Sequence, residues 1–250
     1  MKPFQFYKIE SFPNLEINKS VQNLIQRNFS GQNENFVTSI ELIDQNIDTS
    51  LKSIHINSEV ECNDYGYTFI EIEGELRRAE FTSYRHPVDF PAYLDLQRNI
   101  VILPQPKRIC EKVLKNLNSI EHVSLLEMEV NFQEVYKKCP QYISAWFRNL
   151  SARVNVAGVS GSQIQDDELF KYLMKVGELS NVMIPWQYGG VEHHLMISKS
   201  SALILQKEYK DNQKLELNVI INAFDKLLTQ VWKPKEKRRK SKEYDIPVEP

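Results

Sequence analysis

The sequence predicts an α+β fold: a mixed, mainly antiparallel sheet built from hairpins, with helices packed on one face. Three observations point there. Short alternating or apolar runs of strand length recur along the chain and are separated by turn residues. Strand–helix–strand spacing suited to parallel pairing is rare. One arrangement also returns: 92–117, AYLDLQRNIVILPQPKRICEKVLKNL, reads as two short strands, a proline stop and an amphipathic helix. At 193–228 HHLMISKSSALILQ is followed, after a polar loop, by KLELNVIINAFDKLL. The recurrence implies two related sheet–helix halves, 1–125 and 126–232, with one continuous domain as the alternative because no linker-like composition divides them.

Taken in order, residues 8–12 give a first strand. Asn18 is a fitting N-cap for SVQNLIQRNF, in which Val21, Leu24 and Ile25 recur at helical spacing, so a helix is expected there. Residues 36–43 and 51–57 read as strands, and the stretch Asn63-Asp64-Tyr65-Gly66 as a turn. In YTFIEIEGELRRAEF, Ile70 and Ile72 alternate with Glu71 and Glu73, and Gly74 marks a bend before the returning strand. A hairpin follows around Gln97, Arg98 and Asn99. Pro104 and Pro106 end it, and Ile109, Val113, Leu114 and Leu117 form the stripe of the next helix.

Residues 123–130 are apolar but ambiguous, 131–138 read as helix, and Ala145, Trp146 and Phe147 form an aromatic step suited to burial. ARVNVAGV reads as a strand, with Val154 and Val156 facing one way and Arg153 and Asn155 the other. A helix is expected next, starting at Gln165 or Asp166, with Leu169, Tyr172, Leu173 and Val176 as its stripe and Gly177 as its stop. Residues 179–186 are a strand, Gly189-Gly190 a turn, 194–197 and 203–206 a hairpin, and 215–231 a final helix ending at Trp232.

With 42% hydrophobic and 26% charged residues in 250, the chain can bury a large core, so global disorder is excluded. No apolar run approaches the roughly 20 residues that span a bilayer, and the first residues lack a signal-peptide pattern. Three widely spaced cysteines, Cys62, Cys110 and Cys139, fit a reducing compartment, and Cys110 and Cys139 read as core thiols. A cytoplasmic protein without a membrane partner is expected. Residues 233–250 hold seven basic and four acidic residues, so the segment carries +3 and leaves −5 for the other 232 residues of a chain with net charge −2.

That basic segment, expected to be disordered, is the strongest functional signal. Lys233, Lys235, Lys237, Arg238, Arg239, Lys240 and Lys242 come without apolar residues to bury. Such a cluster attracts phosphate backbones by counterion release, although a solvated terminus has the same composition. Glu71, Glu73 and Asp95 offer a second, weaker candidate. Carboxylates on neighbouring strands can hold Mg²⁺ for a nuclease or phosphoesterase, but the usual companion lysine is missing and alternating charge on an outer sheet face is common.

Other stretches carry less. His193 and His194 are adjacent on a strand, point to opposite faces and cannot share a metal. The run Gly158-Val159-Ser160-Gly161-Ser162 fits neither a phosphate loop nor a nucleophile elbow. Trp146, Phe147, Trp186 and Tyr188 can stack on bases, but suit a core better. The sequence reading is therefore a non-enzymatic interaction protein without a cofactor. Its body is expected to meet a protein partner or a second copy, and its tail to contact nucleic acid, as an accessory in genome maintenance or antiviral defence. The alternatives are the Mg²⁺-dependent enzyme and a structural subunit with an incidental tail.

Overall fold

Alternating apolar residues place most of this chain in antiparallel strands. The computed structural model describes residues 2–17, 19–29, 32–46, 51–63, 65–151, 153–207, 209, 212–229 and 232–235. Its first half runs β1 (Pro3–Ser11), β2 (Ser20–Phe29), β3 (Gln32–Asn46), β4 (Leu51–Cys62), β5 (Gly66–Ile72), β6 (Glu75–Phe81), β7 (Tyr84–Asp95), β8 (Ile100–Leu103), helix α1 (Lys107–Leu117) and β9 (Ser124–Val130). The second half runs α2 (Phe132–Lys138), β10 (Ser144–Arg148), β11 (Val156–Ser160), α3 (Glu168–Val176), β12 (Glu178–Tyr188), β13 (Val191–Ser198), β14 (Ala202–Leu205), α4 (Gln213–Ala223) and β15 (Trp232–Pro234).

The fold is α+β but more sheet-dominated than expected. Thirteen strands form one sheet in the order β11-β10-β12-β13-β14-β1-β8-β7-β4-β3-β2, with β9 added to β1 and β15 to β9. β5 and β6 form a separate two-stranded hairpin. The named strand pairings are antiparallel.

β1 is the centre of the sheet, and one of its edges is forked. β8 pairs along one edge, matching Gln5 with Leu103 and Lys8 with Ile100. The opposite edge is shared by β14 at residues 3–5 and by β9 from Tyr7 onward. Ser201 ties the fork. It is fully buried, with a left-handed φ of 63°. Its carbonyl accepts from the Phe6 amide at 3.1 Å, its hydroxyl donates to the Met128 carbonyl at 2.8 Å, and the Trp232 indole donates to that hydroxyl at 2.7 Å.

The expectation of helices on one face is corrected by the alternation of these central strands. In β8, Ile100 and Ile102 enter one core, and Val101 and Leu103 the other. In β1, Phe6 stacks on Phe224, just beyond α4, at 4.6 Å. Tyr7, its neighbour, turns to the α1 side and enters the same core as Cys110. Strands buried on both faces need cover on both. Here α1 covers one face, and α4 with the wider π-turn Phe224–Leu228 covers the other.

The two stretches share an order of elements. Each has a long hairpin strand (β7, β13), a four-residue strand (β8, β14), an eleven-residue helix (α1, α4) and a returning strand (β9, β15). A left-handed residue precedes each short strand, Asn99 in one and Ser201 in the other, and both carbonyls accept amides of β1.

Several local expectations are overturned. The helix expected after Asn18 is β2, paired residue by residue with β3 from Ser20↔Glu41 to Phe29↔Gln32. Val21, Asn23 and Ile25 alternate as the less exposed side and Leu24 faces out, so a period of two prevails over the apparent helical spacing. In α3 the inward residues are Phe170 and Leu173, whereas Leu169, Tyr172 and Val176 face out. The cap is Asp167, whose side chain accepts from the Leu169 amide at 2.8 Å, and aromatic contacts of Phe170 with Tyr142 and Phe147 set the rotation. The strand expected in ARVNVAGV is β11 at Val156–Ser160, in which Val156 faces out and Ala157 and Val159 pack on the core. The last helix does not reach Trp232, which instead opens β15.

Candidate interaction surface

The carboxylates proposed for a metal site are placed apart in role. Asp95 ends β7 and is fully buried. One of its oxygens accepts from the amides of Gln97 and Arg98, both at 3.0 Å, and the other from the Arg98 guanidinium at 2.6 Å. Arg98 also reaches Asp225 through Nε at 2.7 Å and Nη2 at 2.8 Å. Asp95 therefore shapes the β7–β8 turn and ties it to the helix beyond α4. Glu71 lies on β5, and Glu73 occupies the β5–β6 turn with φ 56°. Among the described residues no group of three or more His, Cys, Asp or Glu side chains is arranged to hold a metal ion.

The basic segment starts differently from expectation. Residues 232–235 are ordered against β9 and are not a free end: Lys233 is opposite Glu129, Pro234 opposite Met128, and the Lys235 amide donates to the Glu127 carbonyl at 3.0 Å. Pro234 is tolerated because this added strand lies at an edge. Lys235 pairs with the Glu127 carboxylate, which holds its ammonium pKa above the ordinary value. Lys233 is exposed. Lys237, Arg238, Arg239, Lys240 and Lys242 lie outside the described residues.

A groove of about 1190 Å³ runs beside the forked edge, lined among others by Gln5, Lys107, Glu127, Arg148, Lys199 and Lys235. Its charges are largely matched internally, Lys235 with Glu127 and Lys199 with Glu178.

Among the described residues, the β5–β6 hairpin exposes a group of large apolar side chains. It follows the last pair of the β4–β7 ladder, Cys62↔Tyr84, so β4 and β7 lead into it. At the base, Phe81 folds over Gly66, where a Cβ would lie 2.6 Å from the ring. Beyond it no residue of the hairpin is buried. Tyr67, Phe69 and Leu76 are 57%, 60% and 74% exposed, and share one face with Glu71, Arg78 and Glu80. Ile70 and Ile72 are exposed on the other face. Arg78 stacks over Tyr67 at 4.3 Å. The sequence signal was present in YTFIEI, a run of strand formers with one kind of charge, but read alone it described a half-buried strand.

Other candidates settle into structure. His193 is buried and its Nδ1 is 2.7 Å from the Tyr209 hydroxyl, while His194 meets Gln206 and Glu192 on the opposite side. Burial pushes the Cys110 thiol up to about 12, and Cys139 is raised by burial too. Phe147 is fully buried, with Trp146, Trp186 and Tyr188 half-buried. Among the described residues no helix is long and apolar enough to cross a membrane. No protein-family model matches this chain, and no curated protein matches it either.

Proposed function

We infer that this protein works as an interaction protein: its body docks a protein partner through the β5–β6 hairpin, and its basic C-terminal segment adds a contact to nucleic acid. One observation carries the first part. A hairpin of fourteen strand residues exposes large apolar side chains on both faces, including Tyr67, Phe69, Ile70, Ile72 and Leu76. Isolated apolar residues on a surface are ordinary, but a projecting element with no buried residue contributes little to its own fold. Its apolar side chains gain most by being covered. Five of the seven basic residues of 233–250 lie beyond Lys235, and they support the second part through their charge alone.

The test removes each element separately. Replacing 66–81 by a short turn is expected to abolish complex formation with a partner isolated from the native host and then reconstituted from purified components. Removing 236–250 is expected to weaken binding to duplex or single-stranded nucleic acid and to flatten its salt dependence. Unchanged partner binding without the hairpin would refute the docking reading, and unchanged nucleic-acid binding without the segment would refute the other.

A further inference from the structure

We propose that the β5 edge pairs antiparallel with the β5 edge of a second copy of this chain, joining two hairpins into a four-stranded sheet β6-β5-β5-β6 about a two-fold axis. The proposal rests on the reading that the hairpin is the docking element, and it names the partner.

The two strands of the hairpin differ in charge. β6, ELRRAEF, has four charged residues in seven; β5, GYTFIEI, has only Glu71. Charged side chains along an edge discourage another strand from adding to it, and their scarcity invites one. Among the described residues β5 pairs with β6 alone, so its outer row of amides and carbonyls has no strand partner. The contents of β5 suit pairing, since Tyr, Thr, Phe and Ile favour strands and no proline interrupts them.

A second copy fits because the strand is complementary to itself. With Phe69 on the two-fold axis, Phe69 faces Phe69 of the second copy, and Tyr67 faces Glu71. No carboxylate then meets its own kind across the new seam. Arg78 lies on the same face and already leans over the Tyr67 ring. It also pairs with Glu80 of its own strand at 3.3 Å, and across the seam the Glu71 of the second copy offers it a further carboxylate, with the reciprocal pair supplied by symmetry. On the opposite face Ile70 would meet Thr68 of the other copy. An isologous dimer of this kind buries a continuous apolar seam and closes, with no edge of β5 left for further addition. It also turns a two-stranded ribbon, marginal by itself, into a four-stranded sheet.

The full-length chain is to be followed by sedimentation or light scattering across about a hundredfold range of concentration. A monomer–dimer equilibrium is expected, with Phe69→Lys at least about tenfold weaker because it sets two ammonium groups opposite each other. Glu71→Arg alone should weaken the dimer, and Glu71→Arg with Arg78→Glu should restore it. That reversal separates pairing from mere unfolding of the hairpin. Phe69→Cys should crosslink into a dimer on oxidation, whereas Glu75→Cys on the other strand should not. A wild type that stays monomeric, or a dimer indifferent to these substitutions, would overturn the proposal. If the wild type is monomeric while loss of 66–81 still abolishes binding to a different protein, docking by the hairpin stands and self-pairing does not.

Discussion

β1 and the β5–β6 hairpin both consist of strand residues, and they stand at opposite ends of one scale. In β1, Phe4 and Phe6 face one core and Tyr7 and Ile9 the other, and both edges are paired, one of them by two strands in succession. In the hairpin both faces are exposed, and each strand has only the other as its neighbour. Strand-forming sequence is thus used for two purposes. Where faces and edges are covered, the residues hold the fold together; where they are not, the same residue types are free to be covered by something else. The difference is one of burial, and substitutions can measure it.

The largest effect is expected at the centre. Phe6→Ala removes a fully buried ring stacked on Phe224, and should cost about 3–5 kcal/mol in denaturant unfolding. Asp95→Ala should cost about 3 kcal/mol, because it strips two turn amides and Arg98 of their shared acceptor. Ser201→Ala, which leaves the Met128 carbonyl and the Trp232 indole without their partner, should cost about 1–3 kcal/mol. Against these, Tyr67→Ser with Phe69→Ser should change stability by less than about 0.5 kcal/mol, the value for exposed positions. A large loss from this last variant would show that the hairpin supports the fold after all.

A pH series sharpens the same contrast. Burial raises the Cys110 thiol from 9.0 to about 12, so the unfolded chain releases this proton before the folded one does. Stability is therefore full below pH 9 and falls as the pH rises toward 12, by roughly 1 kcal/mol per pH unit. Tyr7 and Tyr142, also raised by burial, add to the decline once their unfolded forms ionise above pH 10. Cys110→Ala should soften the onset of the decline, as read from melting temperatures between pH 8.5 and 11 on the ordinary titration range of thiols and phenols.

Much of the first layer was legible because it is written in short-range terms. Proline stops, the Gly189-Gly190 turn with both φ positive, and the stripe of α1 all act within a few residues. What escaped depends on distant partners. SVQNLIQRNF offers apolar residues compatible with two periods, and pairing with β3 decides between them. The rotation of α3 is set by Tyr142 and Phe147, more than twenty residues upstream. Asp95 reads as a candidate metal ligand in sequence, and its role in the turn depends on Arg98, which in turn reaches Asp225. Trp232 and Pro234 read as the end of a helix because nothing local reveals the waiting edge of β9. For the interaction surface, the apolar residues of YTFIEI were visible but their exposure was not, since alternation says which residues share a face and not whether either face is covered.

Hydrogen exchange of the full-length chain, measured at two protein concentrations, tests the contrast most directly. Amides of β1 and β8 are expected to exchange slowly and at the same rate in both samples, with the protection of global unfolding. Amides of β5 are expected to exchange quickly in the dilute sample and to become protected in the concentrated one. Protection of β5 equal to that of β1 in dilute solution, or no gain of protection on concentration, would contradict the contrast.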